Sequence, residues 1–149
     1  MKVIFVDAHI LDSGCEGAAS YIVGVYRETL RKYNNDFLVY FGCRSTAKIF
    51  HIFAGLPSVR VIKYCSSNPY LRLLFEIPII LLNLSPDIAH FQYFTPILKT
   101  CPWHVTIHDV LFNDYPQYFT RFYRLLRNPL FFISAHRSDV LSTVSEYSR

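Results

Sequence analysis

Trp103-His104-Val105-Thr106-Ile107-His108-Asp109 is the stretch that decides the fold. Its interior is aromatic, β-branched or apolar, and the run then stops on a histidine and a carboxylate. A strand buried on both faces looks like this, and in open α/β sheets ligands bind just beyond the carboxyl ends of such strands. The reading therefore expects a parallel strand over residues 103–107, with His108 and Asp109 at a functional rim.

Working outward, apolar runs alternate with helix-length segments. Residues 3–6 form a short apolar run ending at Asp7, and a loop containing Gly14 and Gly17 follows. From Ala18 the apolar residues Tyr21, Ile22, Val25, Tyr26 and Leu30 recur at spacings of three and four, which predicts an amphipathic helix ending near Asn34-Asn35. Residues 37–41 and 59–64 read as second and third strands, with a short helix between them over 46–54, closed by Gly55 and Pro57. Ser66-Ser67-Asn68-Pro69 supplies a polar cap and a first-turn proline for a helix running towards Leu84, which Pro78 should kink. Residues 87–91 are the fourth strand. Residues 115–136 are mostly helical with a break at Asn128-Pro129, and residues 139–144 make the sixth strand. Strands separated by helix-length segments predict an α/β fold: a doubly wound, mostly parallel, Rossmann-like sheet within one domain over residues 1–149.

Composition narrows the classes. Hydrophobic residues make up 52% of the 149 and charged residues only 17%, which excludes disorder and requires extensive burial. The net charge of +4 comes without any long basic block, so no nucleic-acid arm is expected. Cys15, Cys43, Cys65 and Cys101 contain no C-x-x-C pair, which argues against zinc and for buried, reduced thiols in a cytoplasmic protein. The greasiest stretch, residues 73–84, is interrupted by Glu76 and Pro78 and falls short of the ~20 residues of a spanning helix. After the sixth strand, Ser145 and Glu146 suit a helix start. A helix of one turn would leave part of the sheet face open as an apolar patch, so a longer protein or a paired partner is expected.

Four local motifs in order resemble the N-terminal domain of family-four retaining glycosyltransferases, which have the GT-B architecture. They are Gly14-Cys15-Glu16-Gly17 with Tyr21 on the next helix; Pro86-Asp87-Ile88-Ala89-His90-Phe91-Gln92; Val105-Thr106-Ile107-His108-Asp109; and Ser142-Thr143-Val144-Ser145-Glu146-Tyr147-Ser148-Arg149. One departure is that Ser13 precedes Gly14, where the family often has adjacent glycines. The resemblance implies the N-terminal half of a two-domain, metal-independent enzyme without a cofactor. This half would shape the acceptor side of a cleft. A C-terminal half with basic residues and an E-x7-E motif would hold the nucleotide-sugar, and these 149 residues alone would be inactive. The acceptor would be a glycan or a lipid-linked sugar, and His108 would touch a sugar hydroxyl.

The residue chemistry allows both a functional and a plainer reading at each position. Amides of the Gly14–Gly17 loop can approach a phosphate, or the loop is merely a tight turn. His108 can bond a sugar hydroxyl or sit satisfied in the core; its place at a strand end favours the first. Asp109 orients that imidazole or caps the next segment. His90 and Gln92 would lie beside His108 if their strands are neighbours, as acceptor contacts, while Phe91, Tyr93 and Phe94 stack on sugar or simply pack. Ser145 offers an anion contact or a helix cap.

Arg121, Arg124 and Arg127, interleaved with Phe119, Phe122, Tyr123, Leu125 and Leu126, make a basic amphipathic face. It either rests peripherally on the inner face of a membrane or is solvated over a core stripe. Three functions remain open: half of a glycosyltransferase, a Rossmann-like module for a nucleotide or phosphorylated ligand, or a non-catalytic partner docking on an active transferase. Against the second, no G-x-G-x-x-G follows the first strand.

Overall fold

The computed structural model describes residues 1–12, 16–33, 35–109, 115–118 and 120–144. Six strands, β1 (Lys2–Asp7), β2 (Phe37–Cys43), β3 (Val59–Lys63), β4 (Ile88–Gln92), β5 (Trp103–Ile107) and β6 (Val140–Thr143), form one sheet. Its order is β3-β2-β1-β4-β5-β6 and every neighbouring pair is parallel. This is the Rossmann-like, doubly wound α/β arrangement that the alternation predicted. From β1 the chain winds to β3 in one direction, then crosses back to build β4, β5 and β6 in the other. The reversal leaves a crevice between the carboxyl ends of β1 and β4.

Helices cover both faces. On one face lie α1 (Glu16–Lys32) and α2 (Thr46–Ile52). Ala18, Ile22, Tyr26 and Leu30 of α1 recur every fourth residue and pack on Val6, Val39 and Phe41. Gly17 lies in the first turn of this helix, where a Cβ would meet only open space, so its backbone is helical and not part of a loop. The other face carries α3 (Pro69–Leu71), a π-helical turn (Arg72–Glu76), α4 (Ile77–Leu84) and α5 (Arg121–Arg137). Ile77 and Leu81 pack there against Phe5, Ala89, Phe91 and Trp103, and Phe131 packs against Val105 and Ile107.

Both prolines act through their missing amide. Asn68 caps α3 by accepting from the Tyr70 and Leu71 amides, with Pro69 next in line. Pro78 cannot donate to Leu74, and the ladder beforehand slips to a five-residue step, Ile77 N–H bonding to the Arg72 carbonyl. The expected kink is thus taken up as a π turn. The break expected at Asn128-Pro129 is absent: α5 runs through Pro129. Anchors on both sides keep it continuous, Arg127 over the Phe94 ring before the proline and buried Phe131 and Ser134 after it.

Two carboxylates set strand register at the opposite, amino-terminal edge. Asp87, just before β4, accepts from the Val3 amide at 2.7 Å and returns its own N–H to the Val3 carbonyl at 2.9 Å. Asp139 does the same for Trp103, at 2.7 and 2.8 Å, with Lys99 Nζ 2.7 Å from its carboxylate. Of the described cysteines only Cys43 is buried. Cys65 is exposed and Cys101 half-buried, so the expectation of buried thiols holds for one of three, and all three are free.

Gly42, beside Asp7 in the β1–β2 ladder, is required by a close approach. A Cβ there would overlap Tyr64 Oη, whose ring is buried and whose hydroxyl donates to Asp7 Oδ1 at 2.9 Å. Gly42→Ala should therefore cost about 2–4 kcal/mol, combining overpacking with a lost hydrogen bond to a charged group. Urea unfolding checks it: a midpoint unchanged from wild type would show that Tyr64 can move aside freely.

Candidate functional site

The carboxyl ends of β4 and β5 carry a row of polar side chains on the α1 face of the sheet. Alternation along β4 points Ala89 and Phe91 into the α4 core and His90 and Gln92 the other way. Register places His90 beside His104 and Gln92 beside Thr106. A buried polar side chain must be partnered, and here each is. His90 Nδ1 lies 2.7 Å from Tyr26 Oη of α1, and His90 Nε2 lies 2.8 Å from Thr106 Oγ1. Gln92 Nε2 is 3.2 Å from His90 Nε2, and Gln92 Oε1 is 2.7 Å from His108 Nε2.

The orientation of that amide sets both ring tautomers. With Oε1 towards His108, the latter donates through Nε2–H. The amide nitrogen can only donate, so His90 Nε2 accepts and His90 Nδ1–H donates to Tyr26. The relay thus runs His108 to Gln92 to His90 to Tyr26. Burial pushes the His90 pKa down to about 3, with His104 and His108 adding to the effect and Asp7 opposing it. Burial also lowers His104 and His108; at His108 the Asp109 charge pulls the other way. Burial, with Tyr21 adding to it, raises the Tyr26 hydroxyl above the usual phenol range. Neutral rings linked by hydrogen bonds are the result.

His108 is where this relay approaches the surface. It is half-buried, with Tyr21 edge-on at 5.3 Å and Tyr93 at 5.3 Å. Tyr93 follows β4 with φ of 66°, unusual for a residue with a side chain, and Phe94 N–H bonds to the Gln92 carbonyl across it at 2.8 Å. This is a γ-turn of the rarer, strained hand, and strain of this kind collects at functional edges. The turn brings the Tyr93 ring to His108 and its hydroxyl 3.0 Å from Asp109 Oδ2, to which it donates.

A second polar group closes the end of β1. Asp7 is 1% exposed, with Tyr64 Oη at 2.9 Å and His9 Nδ1 at 3.1 Å. Burial by itself would raise its pKa, but His9, the Arg72 guanidinium and the Tyr64 hydroxyl outweigh it and hold the carboxyl at about 2. Arg72 lies over the Tyr64 ring at 5.5 Å. Asp7 shares the Phe5 face of β1, and His90 shares the Val6 face, so the two groups flank the crevice from opposite sides of the sheet.

Of the residues singled out in the sequence, His90, Gln92, His108 and Asp109 come together at this rim. His90 and Gln92 are buried, so they support His108 from behind and do not themselves face an acceptor. Gly17 belongs to the first turn of α1, and Gly14 and Ser145 lie outside the described residues. Tyr93, read as stacking on sugar or simply packing, lies against the His108 ring, whereas Tyr26, Thr106, Asp7 and Tyr64 were not singled out as site residues. Only Asp7, ending the first strand, carried a visible signal. On the α1 face beyond this row, His104 bonds Ser142 at 2.7 Å and Val140 and Val144 are exposed, so the open area is mixed rather than purely apolar. Among the described residues no three His, Cys, Asp or Glu side chains converge to hold a metal ion. Comparison with protein-family models, curated proteins and solved structures gives no match.

The depressed histidines give a pH signature. Unfolded His90 gains a proton near its ordinary value of 6.5, whereas folded His90 gains one only near about 3. Stability from this group is complete above pH 6.5 and falls below it, by up to about 1.4 kcal/mol per pH unit, until the folded value is reached. His90→Gln should reduce that slope between pH 6 and 4 by about one proton, leaving the part due to His104 and His108. Urea midpoints measured across that range provide the check; an unchanged slope would mean His90 titrates normally.

Proposed function

We propose that this chain is the acceptor-side half of a GT-B retaining glycosyltransferase. Together with a donor-binding half it would move a sugar from a nucleotide-sugar to a glycan or lipid-linked acceptor. The observation that carries the reading is His108: a neutral imidazole at a strand's carboxyl end, oriented by Gln92 and flanked by two tyrosine rings beside the crevice. A neutral imidazole held in one tautomer can make a directed hydrogen bond to a sugar hydroxyl without attracting a competing anion. The rings of Tyr21 and Tyr93 offer apolar faces to the pyranose. Asp109, tied to Tyr93, fixes the wall on which that ring stands.

Sugar transfer from a nucleotide builds negative charge on the departing phosphate. Without a metal, amides and basic side chains must stabilise it. In this reading amides of the α1 amino terminus, Gly17 among them, would meet the donor phosphate, while the donor-binding half supplies the basic groups. The enzyme would act in the cytoplasm, without a cofactor. A second reading, a non-catalytic module for a nucleotide or phosphorylated ligand, is favoured by the strand order and its crevice between β1 and β4. Docking on a partner transferase would use the open face bearing Val140 and Val144.

The test is transfer across a panel of nucleotide-sugars by an assembly that contains the donor-binding half. His108→Ala should lower turnover by about 10²–10³-fold, the usual cost of one transition-state hydrogen bond, with circular dichroism unchanged. Unchanged turnover would remove His108 from the site. Nucleotide binding by the isolated chain, with no transfer in any assembly, would favour the second reading.

A further inference from the structure

The α4–α5 side of the sheet holds a surface that the site does not use. The connection from β4 to β5 crosses this side in the ten residues 93–102 and forms no helix there. A doubly wound sheet ordinarily fills that place with a helix. Here it remains a groove between α3 with its π turn and α5, floored by the Phe94–Ile97 segment and enclosing about 270 Å³. Its walls are almost wholly apolar, with Arg127 and Arg137 the charged residues lining it.

The helical segments on this side turn apolar residues outward. Phe75, Ile79 and Leu82 of the π turn and α4 are each more than half exposed, Phe75 and Ile79 lining a second, shallow apolar depression with Ile62. Phe122 and Leu125 of α5 are three-quarters exposed, and Ile97 at the groove is two-thirds exposed. The helices pack on the same sheet face, since Phe91 under α4 and Val105 under α5 are register partners. Their outer surfaces therefore face the same way, and this side presents two apolar depressions and several exposed apolar side chains, more than a monomer in water usually keeps without use.

The charge on this surface has one sign. The helix Arg121–Arg137 carries Arg121, Arg124, Arg127 and Arg137 and no acidic residue. Along residues 69–84 the sole carboxylate is Glu76, which turns inward to accept from the Cys65 and Ser66 amides. Arg127 lies over the Phe94 ring and Arg137 bonds the Ile97 carbonyl, which leaves Arg121 as the exposed cation beside the apolar side chains. Exposed apolar side chains beside an exposed guanidinium match the layered chemistry of a bilayer surface: the apolar groups enter the acyl boundary while Arg121 meets a lipid phosphate. No helix among the described residues is long and apolar enough to cross a membrane.

We infer that the α4–α5 face docks in the interfacial layer of an anionic lipid membrane, with the helices lying on the bilayer and the groove open to an acyl chain. The inference stands apart from the sugar-transfer reading, because lipid contact needs no turnover and involves none of the residues around His108.

Co-sedimentation with vesicles tests it. The chain should pellet with equimolar phosphatidylcholine and phosphatidylglycerol, bind phosphatidylcholine alone at least about tenfold more weakly, and be released as salt screens the charge. Arg121→Glu should weaken binding to the anionic vesicles by about tenfold or more, and Phe75→Ser with Leu82→Ser by a similar factor. All three positions are exposed, so circular dichroism should match wild type. Failure to pellet with anionic vesicles, equal binding to both lipid compositions, or wild-type binding by both variants would overturn the inference. So would a lipid-indifferent dimer that Phe75→Ser dissociates, which would make a second copy the occupant of this face.

Discussion

The structure depends on satisfying one buried histidine. His90 sits in the middle of a parallel sheet at 1% exposure, where an unpartnered ring nitrogen would cost about as much as a lost hydrogen bond. Tyr26 on one side and Thr106 on the other supply the partners, which joins α1 to β4 and β4 to β5. The stacking of His90 on His104, at 4.1 Å and nearly parallel, extends the same polar row towards β6. A hydrocarbon in place of His90 would pack as well but would leave no means of orienting Gln92, and through it His108.

The two faces of the sheet divide the work. The α1 face is apolar beneath the helix and becomes polar towards β5 and β6, where the row His90, Gln92, His104, Thr106 and Ser142 lies. The α4–α5 face is apolar beneath its helices, with Asp7 at its carboxyl edge the exception, and carries further apolar residues on the outside of those helices. The carboxyl edge joins them: Asp7 with Tyr64 and Arg72 on one side of the crevice, the His108 group on the other. Lodging a charged carboxylate beside hydrocarbon is possible there because a tyrosine hydroxyl and two cationic or imidazole groups meet it.

Several features were legible because they follow from local chemistry. Strand runs such as residues 103–107 announced burial on both faces, and Asn68-Pro69 announced a helix start, since cap and first-turn proline act within a few residues. Pro78 announced a disturbance, though not that the ladder would absorb it as a π turn. Pro129 misled. A proline's penalty is local, whereas the packing that kept α5 continuous joins Phe131 to β5, more than twenty residues earlier in the chain. In the helix running towards Leu84, Ile77, Pro78 and Leu81 form the inward side while Phe75, Ile79 and Leu82 face outward, a choice that a nearly unbroken apolar run does not reveal.

By itself, then, the sequence determined the alternation of strands and helices, the parallel sheet it entails, and a rim where His108 and Asp109 emerge. Those properties depend on spacing and on side-chain type, which a linear chain displays. Only the tertiary structure decided the strand order, the pairing of His90 with Tyr26 across 64 residues, and the link of Gln92 to His108. It also decided that apolar residues of α4 and α5 would face away from the core on the same side of the sheet. Each of these is a contact between segments distant in the chain, and periodicity gives the face of an element without naming what that face will meet.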